Sequence, residues 1–425
     1  MGWRRGGGWA VALAVLAAAC GEVLPAPARW MVNAGPPPDA ASMPDTAPAP
    51  DTAPMLTPEV RNPGSVFDLH RLHLVTIEVD VAFLATLNDA GNQTRVPALV
   101  SYDGVVLPSS GIRKKGGIGS VRDLFDKTGF TIDFHEFVSE QRLLGLKKLT
   151  LNNSVQDPSF LHEHVAYEIF RRAGLPAPHT AHALVTFNGQ PFGLYVVKES
   201  VDGEFLDRNF GGDNDQGNLY EGPCCHDFVT NPENIELKDE GKEMRSRQDL
   251  LELARLVAET PDSDWEGVVG ARLDLDNLID SYALDAITDH FDDYFFNGNN
   301  YYLYHHPRTG RFLMIPHGMD RALSWPHDPL RPPQGQLGLR IRALPALDDR
   351  FRQAVTRVLA QAFDLPALQA RVDRAAITIL KHTPTDAQTI ADFTSLRENL
   401  TPLKIYLDRR KAWAPAKMPD TMVAP

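Results

Sequence analysis

Cysteine is scarce: three residues in 425, Cys20, Cys224 and Cys225. That excludes a disulfide-framework protein. The adjacent pair, followed by His226, is compatible with a vicinal disulfide in an exported chain. Its spacing matches no common zinc motif and no fourth ligand is evident, so an ordinary pair of loop thiols is the expectation. Basic residues are also in short supply, 42 Lys and Arg against 55 Asp and Glu, a formal charge of −13. A nucleic-acid surface needs a basic stripe to neutralise phosphates and none is present, so nucleic acid is excluded as a partner. The excess acid reads as a solvated surface. It leaves room for ATP, which needs only a few well-placed cations. Long apolar runs are missing too; Gly8–Ala19 is too short to span a bilayer as a mature helix. There is no regular β–α–β alternation either. Strands come first and helices second, which predicts an α+β chain.

The N-terminus has the grammar of an export signal. Arg4 and Arg5 precede the apolar run, which ends Leu16-Ala17-Ala18-Ala19-Cys20. Small residues directly before a cysteine resemble a bacterial lipobox, with Cys20 as the lipidated residue. The expectation is a signal over 1–20, a Pro/Ala-rich tether over 21–64 in which PDTAP occurs twice, and a folded part over 65–413. That part divides into a mainly β lobe over about 65–200 and a mainly helical lobe over about 201–413, and 414–425 is a flexible tail. Such a chain sits in the cell envelope, at the outer membrane or cell surface, and touches the membrane through its lipid anchor alone.

Most of the chemistry lies between Asp289 and Trp325. Asp292 and Asp293 end an apolar helical run (Leu273–Ile287). Asn300 follows in an Asn/Gly turn, then an aromatic strand (Tyr301–Tyr304), a second strand (Arg311–Ile315) and Asp320. Oxygen ligands on both sides of a short hairpin suit a hard cation such as Mg²⁺ that carries a polyphosphate. Upstream, Gly111–Ser120 is the densest basic, glycine-rich run and reads as a loop able to cradle phosphate oxygens, with Arg113 and Lys115 in it. Lys127 leads into a strand over Gly129–Phe134. Asp157-Pro158-Ser159 caps a helix from about Phe160 that carries Glu163. Asp103-Gly104 and Asn188-Gly189 mark two hairpins, the second ending at Glu199.

In order, these parts read as a phosphotransferase: glycine loop, Lys, helix Glu, hairpin, Asp with a downstream Asn, and a last Asp. His290-Phe291-Asp292 echoes the His-Arg-Asp of protein kinases. Seven residues separate Asp292 from Asn300, however, where protein kinases have four, and no Gly follows Asp320. An ordinary protein kinase is excluded. The ordered set Gly111–Gly117, Lys127–Phe134, Leu149–Asn153, Asp157–Glu163, Phe187–Gly189, Gly193–Tyr195, Glu199, Asp292, Asn300–Tyr304 and Ile315–Asp320 resembles the spore coat protein CotH kinase family of atypical secreted kinases.

The resemblance implies an atypical protein-kinase-like fold that transfers the γ-phosphoryl of ATP, with Mg²⁺ or Mn²⁺, to a protein Ser/Thr hydroxyl. It places Lys127 on the phosphates, paired with Glu163, with Arg113 and Lys115 nearby and Glu199 at the nucleotide hinge. Asp292 becomes the base, and Asn300 and Asp320 the metal arms. One position departs from the family's Pro-Trp-Asp-x-Asp: Pro316-His317-Gly318-Met319-Asp320 has Gly318 where an acid is usual. That loss supports an alternative, a catalytically weak, kinase-shaped envelope protein that works by binding or assembly.

Overall fold

Apolar residues recurring at every second position build the first half of the protein. In β1 (His73–Glu78) His73, Val75 and Ile77 are buried and the residues between them are exposed. After α1 (Leu84–Asn88), β2 (Val96–Tyr102) and β3 (Val105–Lys115) form a hairpin around Asp103 and Gly104, both at positive φ (50° and 86°), as a type I′ turn requires. Then come β4 (Gly129–Asp133), β5 (Lys148–Asn152), α2 (His162–Arg172), β6 (Thr180–Phe187) and β7 (Gln190–Glu199). The seven strands close into a barrel in the order β1-β2-β3-β4-β5-β7-β6, with β6 returning parallel to β1. Val100, Ile112, Phe130, Ile132, Leu149, Leu151, Tyr195 and Val197 fill its interior.

The order of strands has one consequence for function. β5 pairs with β7, not with β6, so Thr150 lies opposite Lys198. Thr131 lies opposite Thr150, and Arg113 opposite Thr131. Arg113, Thr131, Thr150 and Lys198 therefore form a polar row on the outer face of the barrel, while their strand neighbours point into its core.

The chain continues through α3 (Gly203–Phe210), β8 (Leu219–Gly222), β9 (Glu236–Asp239), α4 (Gln248–Glu259), α5 (Asp262–Gly270), α6 (Leu275–Thr288), α7 (Tyr294–Asn297), β10 (Tyr301–His306) and β11 (Arg311–Pro316). It finishes with α8 (Gln336–Ala343), α9 (Pro345–Gln361), α10 (Leu365–Leu380) and α11 (Ala387–Lys417). A four-stranded sheet, β11-β10-β8-β9, stands beside the helices. The helical core runs from Val165 and Ile169 of α2 through Leu278 and Tyr282 of α6 to Phe351 of α9 and Leu407 of α11. The architecture is α+β, a β-rich N-terminal part and a helical C-terminal part, as the sequence leads one to expect.

This computed structural model describes residues 63–89, 93–117, 119–211, 217–239 and 246–417, without the side chains of 63, 239 and 414–417. They belong to one compact unit, Thr57–Pro425. The expected signal, Cys20, nearly all of the tether and residues 418–425 of the tail lie outside the described residues. Among the described residues no helix is long and apolar enough to cross a membrane.

Three local expectations need correction. Gly111–Lys115 is not a loop: it finishes β3, because Ile112 fills the barrel core and the segment pairs with β4 through Lys115 and Gly129. Helix α2 starts at His162, where Asp157 accepts the His162 N–H at 2.7 Å, and not at Phe160. Finally, β9, α5 and α8 are additional elements; their short or weakly periodic stretches carry little signal of their own.

Candidate phosphotransfer site

Between the outer face of the barrel and the β8–β11 sheet lies a cleft of about 860 Å³, within the range of small-ligand sites. Arg113, Lys115, Gly116 and Gly117 line one wall. Asp292, Asn300 and Asp320 line the other. Five of the residues singled out in the sequence, Arg113, Lys115, Asp292, Asn300 and Asp320, thus share one cavity, although they are separated by up to 207 positions.

Asp292 is held by amides. α6 ends with Asp289 in the left-handed conformation (φ 51°), which turns the chain back. Asp293 then caps α7 through the Phe296 N–H at 2.7 Å. Asn297 and Asn299 donate to Asp292 Oδ1 at 2.6 and 3.1 Å, and Asn300 donates to Oδ2 at 3.2 Å and to the Asp292 carbonyl at 2.9 Å. The Asn-Gly-Asn-Asn run reads in sequence as a turn; its second use, orienting a carboxylate with three amides, is visible only once the turn is folded. Behind it His290 places Nδ1 3.0 Å from Asp285 Oδ1 and Nε2 3.2 Å from the Gly318 carbonyl. A carbonyl only accepts, so Nε2 carries the proton. The end of α6 is thereby tied to the turn that bears Asp320. Burial raises the Asp285 and Asp293 carboxyls well above their ordinary range, the charge of Asp285 adding to the effect on Asp293.

Asn300 uses its amide nitrogen on Asp292, and its Oδ1 faces Gly318. A Cβ at Gly318 would lie 2.4 Å from that oxygen, and the backbone there is left-handed (φ 56°). The glycine is thus a requirement of the turn; an acid at 318 has no room while Asn300 stays where it is. Gly318→Ala is expected to cost about 1–3 kcal/mol through strain and displacement of Asn300. A denaturant-midpoint shift measures it, and Gly318→Asp is expected to do no better. Asn300 Oδ1 and the Asp320 carboxylate line the cleft as oxygen donors, the type a hard divalent cation takes.

The opposite wall corrects the sequence reading. Glu163 does not pair with Lys127. Its Oε1 is 2.9 Å from Lys198 Nζ, and both side chains are buried. The Asn152 amide donates to Glu163 Oε2 at 2.7 Å and reaches Asp320 Oδ2 at 3.5 Å, bridging the two carboxylates. Lys127 sits away from the cleft. Its backbone is left-handed (φ 48°), and its Nζ lies 2.7 Å from Asp392 on α11 and 4.7 Å from the Phe160 ring centre. Asp392 also accepts the Leu194 N–H at 2.8 Å. Lys127 therefore clamps the start of β4 to the C-terminal helix. Glu199, one residue beyond Lys198, faces the other way: it accepts the His179 N–H at 3.0 Å and pairs with Arg208 of α3, outside the cleft lining. Lys198 was missed because a lone Lys closing an apolar strand carries no motif; only α2, packed over β7, gives it Glu163.

The electrostatics follow from this packing. Burial alone would raise Glu163, but Lys198, Lys115 and the hydrogen bonds from Lys198 and Asn152 outweigh it and hold the carboxyl below its usual range. A depressed carboxyl stabilises the fold above its ordinary pKa of about 4.5 and loses that contribution as pH falls below it. Chemical denaturation at pH 7 and pH 3.5 is expected to show this loss, and the Lys198→Met/Glu163→Gln protein is expected to lose less. Asp320 goes the opposite way: burial, then the charge of Glu163, raises it, opposed by Lys115 and Lys198. Burial and the charge of Lys198 lower Lys115. Burial, with Lys198 and Lys115, lowers His317 well below its ordinary value, so His317 is neutral beside Glu221. The cleft lining thus combines Arg113, Lys114, Lys115, Lys238 and Arg321 with carboxylates that a bound cation would relieve, and the Lys198–Glu163 pair lies behind it.

The cysteine pair borders the same cleft. Cys224 lines it, and the Cys224 and Cys225 sulfurs are bonded, contrary to the expectation of two free loop thiols.

The profile of the family described as CotH kinase protein matches residues 112–414. Inner spore coat protein H of Bacillus subtilis (strain 168) is 25% identical over 215 residues, 49% of this chain and 57% of the relative. An inner spore coat protein H-like protein of the same organism is 37% identical over 75 residues, 18% of this chain and 23% of the relative. The chain thus matches little more than half of the first relative and under a quarter of the second. Among solved structures, the HipA, HipB and operator DNA complex of Shewanella oneidensis MR-1 aligns over 62% of this chain and 59% of that one, at 12% identity and a TM-score of 0.28. The Helicobacter pylori proinflammatory kinase CtkA aligns over 62% and 90%, at 13% identity and a TM-score of 0.27. Scores that low carry no argument about fold or activity.

Proposed function

This chain belongs to the CotH kinase family, and on that premise we propose that the cleft transfers the γ-phosphoryl group of ATP to a Ser or Thr hydroxyl of a protein. The observation that carries the reading is the convergence of Asp292, Asn300 and Asp320 with Lys115 and Arg113 on one cleft, the buried Lys198–Glu163 pair standing behind it and joined to Asp320 through the Asn152 amide. Asp292 Oδ accepts the proton of the attacking hydroxyl, and the amides of Asn297, Asn299 and Asn300 keep its carboxylate aimed into the cleft. Lys115, and Lys198 positioned behind it by Glu163, bind phosphate oxygens, with Arg113 supporting the same wall. Asn300 Oδ1 and Asp320 would hold Mg²⁺ or Mn²⁺, which supplies charge neutralisation for the phosphates. Positioning and charge compensation are most of what phosphoryl transfer asks of a protein.

In this reading the protein is exported, anchored by a lipid on Cys20, and acts in the envelope or at the cell surface; the spore coat names of its relatives support a surface role. One observation favours a second reading, binding without turnover. Among the described residues lining the cleft none but the His317 imidazole is aromatic or a large aliphatic that could sandwich a purine.

A thermal-shift titration tests the nucleotide site. ATP with Mg²⁺ at about a hundred times Kd adds about 2.7 kcal/mol to the folded state, so the wild-type protein is expected to melt several degrees higher. Asp320→Ala is expected to lose the Mg²⁺-dependent part. No shift in the wild type overturns the site.

A further inference from the structure

We propose that Cys224 and Cys225 are a thiol–disulfide exchange site whose partner is a dithiol, and that its redox state sets the order of the Asp292 loop; the effect on turnover rests on the kinase reading above, the exchange site itself does not. The two sulfurs are bonded. Cys225 is exposed, and Cys224 lines the cleft. Cys225 is thus the solvent-exposed member of the pair and Cys224 the member on the cleft wall.

The connection to Asp292 is short. Cys225 has φ +67°, a conformation residues other than glycine seldom adopt. The next residue donates its backbone N–H to the Gly298 carbonyl at 3.0 Å, and its own carbonyl accepts the Tyr301 hydroxyl at 3.0 Å. A Cβ on Gly298 would sit 3.5 Å from the His226 carbonyl carbon, so a side chain there would pack directly on the disulfide loop. Gly298 stands between Asn297 and Asn299, whose amides hold Asp292 Oδ1. One backbone hydrogen bond therefore separates the disulfide loop from the asparagines that aim the proposed base.

The exchange balances as follows. A thiolate of the dithiol attacks Cys225 Sγ; the Sγ–Sγ bond breaks, and Cys224 leaves as a thiolate and takes a proton from water. The second thiolate of the reagent attacks the mixed disulfide, and Cys225 leaves and is protonated in turn. The protein gains two electrons and two protons, and the dithiol becomes a disulfide. With the ring open, Cys225 is free to leave the left-handed region. The His226–Gly298 bond then loosens, and Asn297 and Asn299 lose their register on Asp292.

The test compares the full-length protein before and after dithiothreitol. Peptide mass spectrometry after alkylation is expected to find Cys224 and Cys225 unlabelled in the first state and both labelled in the second. Amide hydrogen exchange over 292–300 is expected to rise at least about threefold on reduction. A Cys224→Ser/Cys225→Ser protein is expected to exchange like the reduced wild type and to ignore the reagent. Alkylation of both cysteines without reductant, or unchanged exchange after complete reduction, overturns the proposal. If the loop loosens but neither state transfers phosphoryl, the kinase reading fails and the exchange site stands. If both states transfer phosphoryl at the same rate, control of turnover falls and the kinase reading stands.

Discussion

Lys198→Met is expected to lower the unfolding free energy by about 3–5 kcal/mol and to remove the nucleotide-dependent rise in melting temperature. Taking away one member of a buried ion pair leaves the other charge without its partner, and that penalty is what makes the cost large. Glu163 would keep only the charge of nearby Lys115 and the hydrogen bonds from the Asn152 amide at 2.7 Å and the Tyr167 hydroxyl at 3.4 Å. Adding Glu163→Gln removes the stranded charge, so the double variant is expected to regain most of the stability and none of the nucleotide response. That split separates a structural role of Lys198 from contact with phosphate. Lys127→Met is the control. It also breaks an ion pair, with Asp392, but Asp392 keeps the Leu194 N–H and the Gln388 amide. The cost is expected to be about 1–3 kcal/mol, with the nucleotide response intact. Denaturant midpoints and thermal shifts measure both; a nucleotide response lost in Lys127→Met and kept in Lys198→Met would reverse the assignment.

Asp292→Asn is expected to reduce phosphoryl transfer by about 10²–10⁴-fold, the usual worth of a positioned base, and to leave the nucleotide-dependent melting shift in place. The substitution keeps the shape of the side chain and removes its capacity to take a proton. Its effect therefore falls on kcat, with KM for ATP close to that of the wild type. A loss of nucleotide binding in Asp292→Asn would place Asp292 among the metal or phosphate contacts instead.

Much of this was legible in the chain. Asp-Gly and Asn-Gly between alternating apolar runs announced two barrel hairpins, and the spacing from α6 to Trp325 brought Asp292, Asn300 and Asp320 together in sequence before it did so in space. The choice of lysine was not legible. It depends on β7 inserting between β5 and β6, a non-local pairing that no local pattern encodes, and on α2 bringing Glu163 to Lys198. Lys127 looked the better candidate because it stood beside the strand; its left-handed backbone and Asp392, 265 positions away, send it elsewhere. Gly318 was read as a lost acid. The close approach of Asn300, a distance no sequence displays, makes it a fitted position.

The central claim, that this cleft moves a phosphoryl group, is tested most directly by incubating the protein with ATP labelled in the γ-phosphoryl group and Mg²⁺, beside Asp292→Asn. Label is then followed on Ser and Thr of the protein itself and of added protein acceptors. Stable label on Ser or Thr with the wild type, and none above background with Asp292→Asn, is the predicted result. Equal label on both proteins, or no label from a wild type whose melting point still rises with ATP and Mg²⁺, contradicts it, and the second outcome would leave a cleft that binds without transferring.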